Sequence, residues 1–259
     1  MSDEIVWKLD NVRAGYSASE DRFEGVSFTI ERGERVAFLG TAKSGRKLLM
    51  KVMCGLRPPR AGTMQIFDHT SGADAYYRDW DDLLPRRIKA KLGVALEVDG
   101  LLSNVSIREG YELLFRFRYG DHNERLQAAA SKVVDGLCEQ FSLNTIMHKR
   151  PVELSPSERK LACIARAFLA RPRVLLLENP SENIGQLSQM KLWSMIDAVF
   201  ENQERTIILS TEDFRLAWRH CPRWMVFDKG NLVFDGQKED FIKTRHPVLK
   251  LIDPVLFPR

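Results

Sequence analysis

The chain has 259 residues, 44% of them apolar, and 39 Lys and Arg stand against 35 Asp and Glu for a formal net charge of +4. That size buries a substantial core in one large domain or two unequal lobes, and the interspersed charges lack the concentrated basic stripe that nucleic acid requires, so no nucleic-acid partner is expected. No apolar run approaches the ~20 residues that span a bilayer, and the opening Met1-Ser2-Asp3-Glu4 has no basic region ahead of an apolar one, so no direct membrane insertion is expected.

Ile5 to Val12 alternates like a strand, Phe23 to Ile30 reads as a second, and a turn through Glu31-Arg32-Gly33-Glu34 leads into a third at Val36 to Leu39. The next residues, Gly40-Thr41-Ala42-Lys43-Ser44-Gly45-Arg46-Lys47, have the spacing of a phosphate-binding loop. Backbone amides after the strand would point at an anion over a helix N-terminus. An ordinary glycine turn between strand and helix is the alternative for this stretch alone. The motif requires Lys and then Ser or Thr after its second glycine, and here those places carry Arg46 and Lys47. Arg is a wide planar fork, and Lys47 puts a fixed positive charge where Mg²⁺ would sit.

The pattern is helical from Arg46 to Cys54, turns at Arg57-Pro58-Pro59-Arg60-Ala61-Gly62, and returns to strand at Thr63 to Phe67. Helical periodicity dominates from about Asn104 to Arg166, with breaks at Tyr119-Gly120-Asp121 and Arg150-Pro151. Val174 to Leu177 and Thr206 to Leu209 are short apolar runs of the kind found in buried parallel strands, with a helix-like segment from Leu187 to Phe200 between them. Trp224 to Phe227, Lys229-Gly230 and Leu232 to Phe234 form a hairpin, followed by a C-terminal helix. Cys54, Cys138, Cys163 and Cys221 lack Cys-x-x-Cys spacing and read as buried thiols in a reducing compartment. The five histidines lack metal-ligand spacing, and no metal site is expected.

Taken in order, these pieces resemble the nucleotide-binding subunit of ATP-binding cassette (ABC) transporters over nearly the whole chain. The aromatic is Tyr16, in Ala14-Gly15-Tyr16, and the phosphate loop follows it. Gly93-Val94-Ala95-Leu96-Glu97 stands at the glutamine loop, and Leu154-Ser155-Pro156-Ser157-Glu158 stands at the signature, continued by Ile164-Ala165-Arg166-Ala167. Leu175-Leu176-Leu177-Glu178-Asn179-Pro180-Ser181 stands at the acidic strand end, and Leu209-Ser210-Thr211-Glu212-Asp213 at the histidine switch. The resemblance implies an α/β P-loop NTPase fold with a β-rich N-terminal part and an inserted helical lobe. The expected division is residues 1–96 and 167–259 for the core and β-rich lobe, and 97–166 for the helical lobe.

At each landmark the residue that the family uses for chemistry differs. Glu178 replaces the Asp that supports Mg²⁺, Asn179 replaces the Glu that polarises water, Glu212 replaces the switch His, and Glu97 replaces the glutamine. Pro156 and Ser157 alter the signature, and Gly185 stands where the family places an Asp. The resulting expectation is a pseudo-ATPase with no catalytic residues of its own, in which Arg46, Lys47, Glu97, Glu178, Asn179 and Glu212 are degenerate positions. Tyr16, Gly40, Thr41, Lys43, Ser44, Gly45, Arg46 and Lys47 would hold ATP weakly or not at all, Mg²⁺ would be absent from this pocket, and Ser155 would face a partner's nucleotide. The implied partners are a second, competent cassette subunit in a heterodimer and a transmembrane permease. The implied location is cytoplasmic, peripheral on the inner membrane through that permease. A divergent active ATPase in which Glu178 holds the metal, and a nucleotide-independent scaffold, are the alternatives. Residues Asp99 to Glu109 and Phe115 to Tyr119 also resemble ATPase subunits of Mla or Mce-type lipid-transport systems, which implies lipid cargo.

Overall fold

The computed structural model describes residues 4–15, 23–72, 84–97, 100–119, 124–169, 171–200, 205–244 and 247. Its strands are β1 (Ile5–Ala14), β2 (Phe23–Glu31), β3 (Arg35–Leu39), β4 (Ala61–Ile66), β5 (His69–Gly72), β6 (Leu92–Ala95), β7 (Val174–Glu178), β8 (Thr206–Thr211), β9 (Arg223–Asp228) and β10 (Asn231–Gln237). Its helices are α1 (Arg46–Met53), α2 (Arg86–Lys89), α3 (Ile107–Tyr119), α4 (Glu124–Gln140), α5 (Pro156–Arg166), α6 (Gln186–Phe200), α7 (Phe214–His220) and α8 (Lys238–Lys243). Among the described residues, no helix is long and apolar enough to cross a membrane.

Two sheets organise the strands. A four-stranded antiparallel sheet runs β2-β1-β4-β5, and a six-stranded sheet runs β10-β9-β3-β8-β7-β6. In the first, Leu9 of β1 lies opposite Phe28 of β2 and Met64 of β4. The alternation of β1 fails at Val6 and Trp7, both buried, because the register shifts between Ile5 and Trp7 and again beyond Leu9, where Asn11 takes φ 48°. A bulge adds one residue and re-aims the side chains after it. In the second sheet β3 is central, parallel to β8 with Val36 opposite Ile208, and parallel to β9 with Ala37 opposite Trp224. Val36 through Leu39 are all fully buried, the continuous apolar run of a strand covered on both faces.

The chain divides into two compact units, one of Met1–Lys89, Leu176–Asn179 and Arg205–Arg259, the other of Ala90–Leu175 and Pro180–Glu204. The anticipated helical segment 97–166 falls inside the second unit, which also takes in β6, the start of β7 and α6. In the first unit Phe38 meets Phe28 edge-on at 5.6 Å and Phe227 at 5.4 Å. In the second, Phe141 after α4 stacks at 5.0 Å on Phe168 after α5, and the Tyr111 hydroxyl of α3 donates to the Ala162 carbonyl of α5. The helical stretch anticipated from Asn104 to Arg166 is interrupted more than expected, because residues 141–155 hold turns and one short 3₁₀ turn at Pro151–Glu153. All four cysteines are buried, and among the described residues none forms a disulfide.

Candidate functional site

The glycine loop from Gly40 to Lys47 lies wholly in the first unit. β3 delivers the chain to Gly40, whose φ is 150°, and a Cβ at that position would lie 2.4 Å from the Phe227 carbonyl oxygen and 2.7 Å from Ser44 Cβ. Only glycine lets the loop fold this closely over the β9–β10 hairpin. The loop closes through Ser44 N–H donating to the Thr41 carbonyl at 3.0 Å, and Gly230 N–H of the hairpin turn donates to the Ser44 carbonyl at 3.1 Å. Gly45, at φ 89°, then starts α1. Thr41, Ala42 and Lys43 are exposed, Lys47 is half-buried, and the fully buried Ser44 Oγ accepts no hydrogen bond and donates none among the described residues.

Arg46 has no exposed surface. Its Nε donates to the Gly40 carbonyl at 3.1 Å, Nη1 to Ser210 Oγ at 2.9 Å, and Nη2 to Glu212 Oε1 at 2.6 Å. The parallel pairing of β3 with β8 sets Phe38 opposite Ser210 and Leu39 opposite Thr211, so the first residue of α1 meets the end of β8 across 166 positions of sequence. A planar fork spreads its donors over three nitrogens and here satisfies a carbonyl, a hydroxyl and a carboxylate at once. Glu212, whose side chain is 51% exposed, supplies the counter-charge. Taken singly along the sequence, Arg46 and Glu212 are two departures from the family's pattern; in the structure they pair.

Glu178 ends β7 with 2% of its surface exposed. Its charge adds to burial in pushing the Cys54 thiol well above the ordinary thiol range. Asn179 follows in a left-handed conformation, φ 43°, which Asn tolerates, and its N–H donates to the Ser210 carbonyl at 2.8 Å. Ser210 thus ties the strand end at Asn179 to the loop helix at Arg46. The sequence reading quoted Ser210 only as a neighbour of Glu212; a hydroxyl at the end of a buried apolar strand was the available signal.

The remaining landmarks lie in the second unit. Glu97 is exposed just after β6. Ser155 caps α5: its Oγ accepts from Glu158 N–H at 3.3 Å, while its own N–H and Oγ donate to the Glu158 carboxylate at 2.8 and 2.7 Å. Those bonds, with the Lys149 ammonium 3.5 Å away, hold Glu158 below the usual carboxylate range. Pro156 occupies the first helical position, where a missing N–H costs the helix nothing. Arg166, at the end of α5, donates to the Gly100 carbonyl and, at 3.0 Å, to the Val94 carbonyl, and so straps the segment that carries Glu97. That role was not read from the sequence, where Arg166 served only to recognise the helix. Gly185 is exposed, with open space where a side chain would project. Tyr16 and Asp99 lie outside the described residues.

With this geometry in place, the ABC transporter family matches residues 23–182. The lipoprotein-releasing system ATP-binding protein LolD of Hydrogenovibrio crunogenus is 26% identical over 221 residues, covering 84% of this chain and 91% of LolD. The thiamine import ATP-binding protein ThiQ of Shigella boydii is 22% identical over 240 residues, covering 92% and 94%. Among solved structures, the dimeric post-hydrolysis state of the ATP-binding cassette MJ0796, bound to ADP and Pi, superposes with a TM-score of 0.79 at 22% identity over 89% of this chain and 98% of that one.

These matches overturn the expectation of a chain without enzyme activity. The family is that of ABC transporters, and the relatives are named as ATP-binding proteins of transport systems. That expectation counted Arg46 and Glu212 as two separate losses, whereas the structure pairs their charges.

Proposed function

The chain belongs to the ABC transporter family, and from that premise we propose that it is an ATP-hydrolysing subunit of a transport complex, with the phosphates of ATP seated on the loop Gly40 to Lys47. The observation that carries this reading is the loop itself: Gly40 and Gly45 in conformations suited to glycine, the buried and unengaged Ser44 hydroxyl, and a buried guanidinium at its exit. Loop amides ahead of a helix favour an anion.

The family's chemistry implies Mg²⁺, and the donors present fit it at one residue. Glu178 offers the carboxylate oxygen that this hard cation prefers, while Lys47 offers none in place of the usual hydroxyl. When bound, the metal would neutralise charge on the phosphate oxygens. The chain's own share is to seat phosphate on backbone amides, to bring the Arg46 cation to it, and to orient water with the Asn179 amide; because an amide cannot take the proton, it passes to an oxygen of the phosphoryl group as inorganic phosphate leaves.

Pairing with a second cassette subunit and docking on a transmembrane permease at the cytoplasmic face complete the proposal. MJ0796 is dimeric in its solved structure, and the altered signature Ser155-Pro156-Ser157 favours an unlike partner, since a homodimer would present that signature to both pockets. A lipid cargo is suggested by the resemblance at Asp99 to Glu109 and Phe115 to Tyr119, and LolD is the ATP-binding protein of a lipoprotein-releasing system. Affinity capture of the tagged chain from gently solubilised membranes tests the assembly: a second cassette subunit and a permease are expected with it. Recovery of this chain without any membrane component would remove the transport reading.

A further inference from the structure

The Arg46 guanidinium is fully buried, so a ligand reaches it only by moving one of its partners. Two of the three are fixed. The Gly40 carbonyl belongs to a turn packed so closely on Phe227 and Ser44 that a Cβ would not fit, and Ser210 is a fully buried residue of β8 that also accepts from Asn179 N–H. The third is Glu212, which follows the last strand residue, is half exposed, and contacts the guanidinium through the end of a flexible side chain. A carboxylate and a phosphoryl group recognise the same fork of N–H donors, and both carry the negative charge that pairs with a guanidinium.

We propose that Glu212 is an internal competitor for the phosphate loop, holding Arg46 until a phosphoryl group takes the guanidinium from it. This deepens the ATP-binding reading above and rests on it. Glu212 is then a specificity-determining residue: it withholds the loop's cation from weak anions and yields it to a ligand that also engages the loop amides. The exchange is of hydrogen bonds alone, with no covalent step.

The test is equilibrium dialysis of labelled ATP, with and without Mg²⁺, against the purified full chain and its E212Q, R46A and R46A/E212Q variants. Glutamine keeps an acceptor for Arg46 without the charge, so the E212Q chain retains its fold. Roughly tenfold tighter ATP binding by E212Q than by the natural chain is expected, the scale on which one charge-assisted hydrogen bond matters. That gain is expected to vanish when E212Q is made in the R46A background. Equal affinity of the natural chain and E212Q overturns the competition and leaves ATP binding standing. A gain that persists without Arg46 also overturns it, because simple repulsion between Glu212 and phosphate would then account for the effect. Absence of ATP binding by all four chains overturns the ATP-binding reading itself, a result distinct from the other two.

Discussion

Arg46 Nη2 lies 2.6 Å from Glu212 Oε1, a buried cation at the first position of α1 joined to a half-exposed anion beyond β8. The partners are unequal in what they leave behind. Removing Arg46 deletes three hydrogen bonds and opens a cavity beside β3, whereas removing Glu212 leaves a guanidinium that still donates to Gly40 and Ser210 and can be reached by water. R46A is therefore expected to destabilise the chain by about 3 kcal/mol and E212A by about 1 kcal/mol. Urea unfolding midpoints measure both, and an E212A loss as large as that of R46A would contradict this ordering.

Gly40 is held between the Phe227 carbonyl and Ser44, with no volume for a methyl group. G40A must push the hairpin away from the loop, and a loss of about 2 kcal/mol or more is expected, together with loss of nucleotide binding. Thermal melting with and without ATP reads both effects. A G40A chain that melts like the natural one would show that the close approach to Phe227 does not constrain the loop.

At the start of α5 the Ser155–Glu158 capping box sets a pH dependence. Glu158 titrates below its unfolded value, chiefly because the Ser155 hydroxyl and N–H donate to its ionised form. A carboxylate with a depressed folded pKa contributes stability that is fully present above the unfolded value, about 4.3, and is lost as pH falls through the folded value. S155A is expected to raise the Glu158 pKa toward the ordinary range and to cost about 1 kcal/mol as a lost cap near neutrality. The gap between S155A and the natural chain should narrow below about pH 4. NMR titration of the Glu158 side chain gives the first quantity, and unchanged titration in S155A would rule out the capping box as its cause.

Arg166 reaches two carbonyls of the segment around Glu97, at Val94 and Gly100, from a single guanidinium. R166A is expected to raise amide hydrogen exchange at residues 94–97 and 100–102 while leaving β1 to β4 unchanged. R166K should fail to restore protection, since one ammonium does not span both acceptors. Full protection in R166K would mean that charge, not the fork, holds the segment.

Much of this architecture was legible because its signals are local. β3, β7 and β8 are short apolar runs, α1 begins after a glycine, and the β9–β10 hairpin turns at Lys229-Gly230. β5 was not legible: His69-Thr70-Ser71-Gly72 has no apolar alternation and is a strand only because β4 pairs with it. α7 was missed although Asp213, which caps it by accepting from Arg215 and Leu216 N–H, is a recognisable start signal. The positions of Arg46 and Glu212 followed from the order of the motifs. Their contact did not, because it depends on the parallel pairing of β3 with β8, and two substitutions judged separately read as two losses.

Inorganic phosphate release from ATP, measured on the purified chain alone and together with the cassette subunit recovered with it, in the presence and absence of Mg²⁺, separates a hydrolysing subunit from an inert one. Mg²⁺-dependent release is expected, falling at least tenfold in E178Q, the variant that removes the proposed metal carboxylate. No release above background with Mg²⁺, whether alone or with the partner, or release that is unchanged in E178Q, would contradict that expectation.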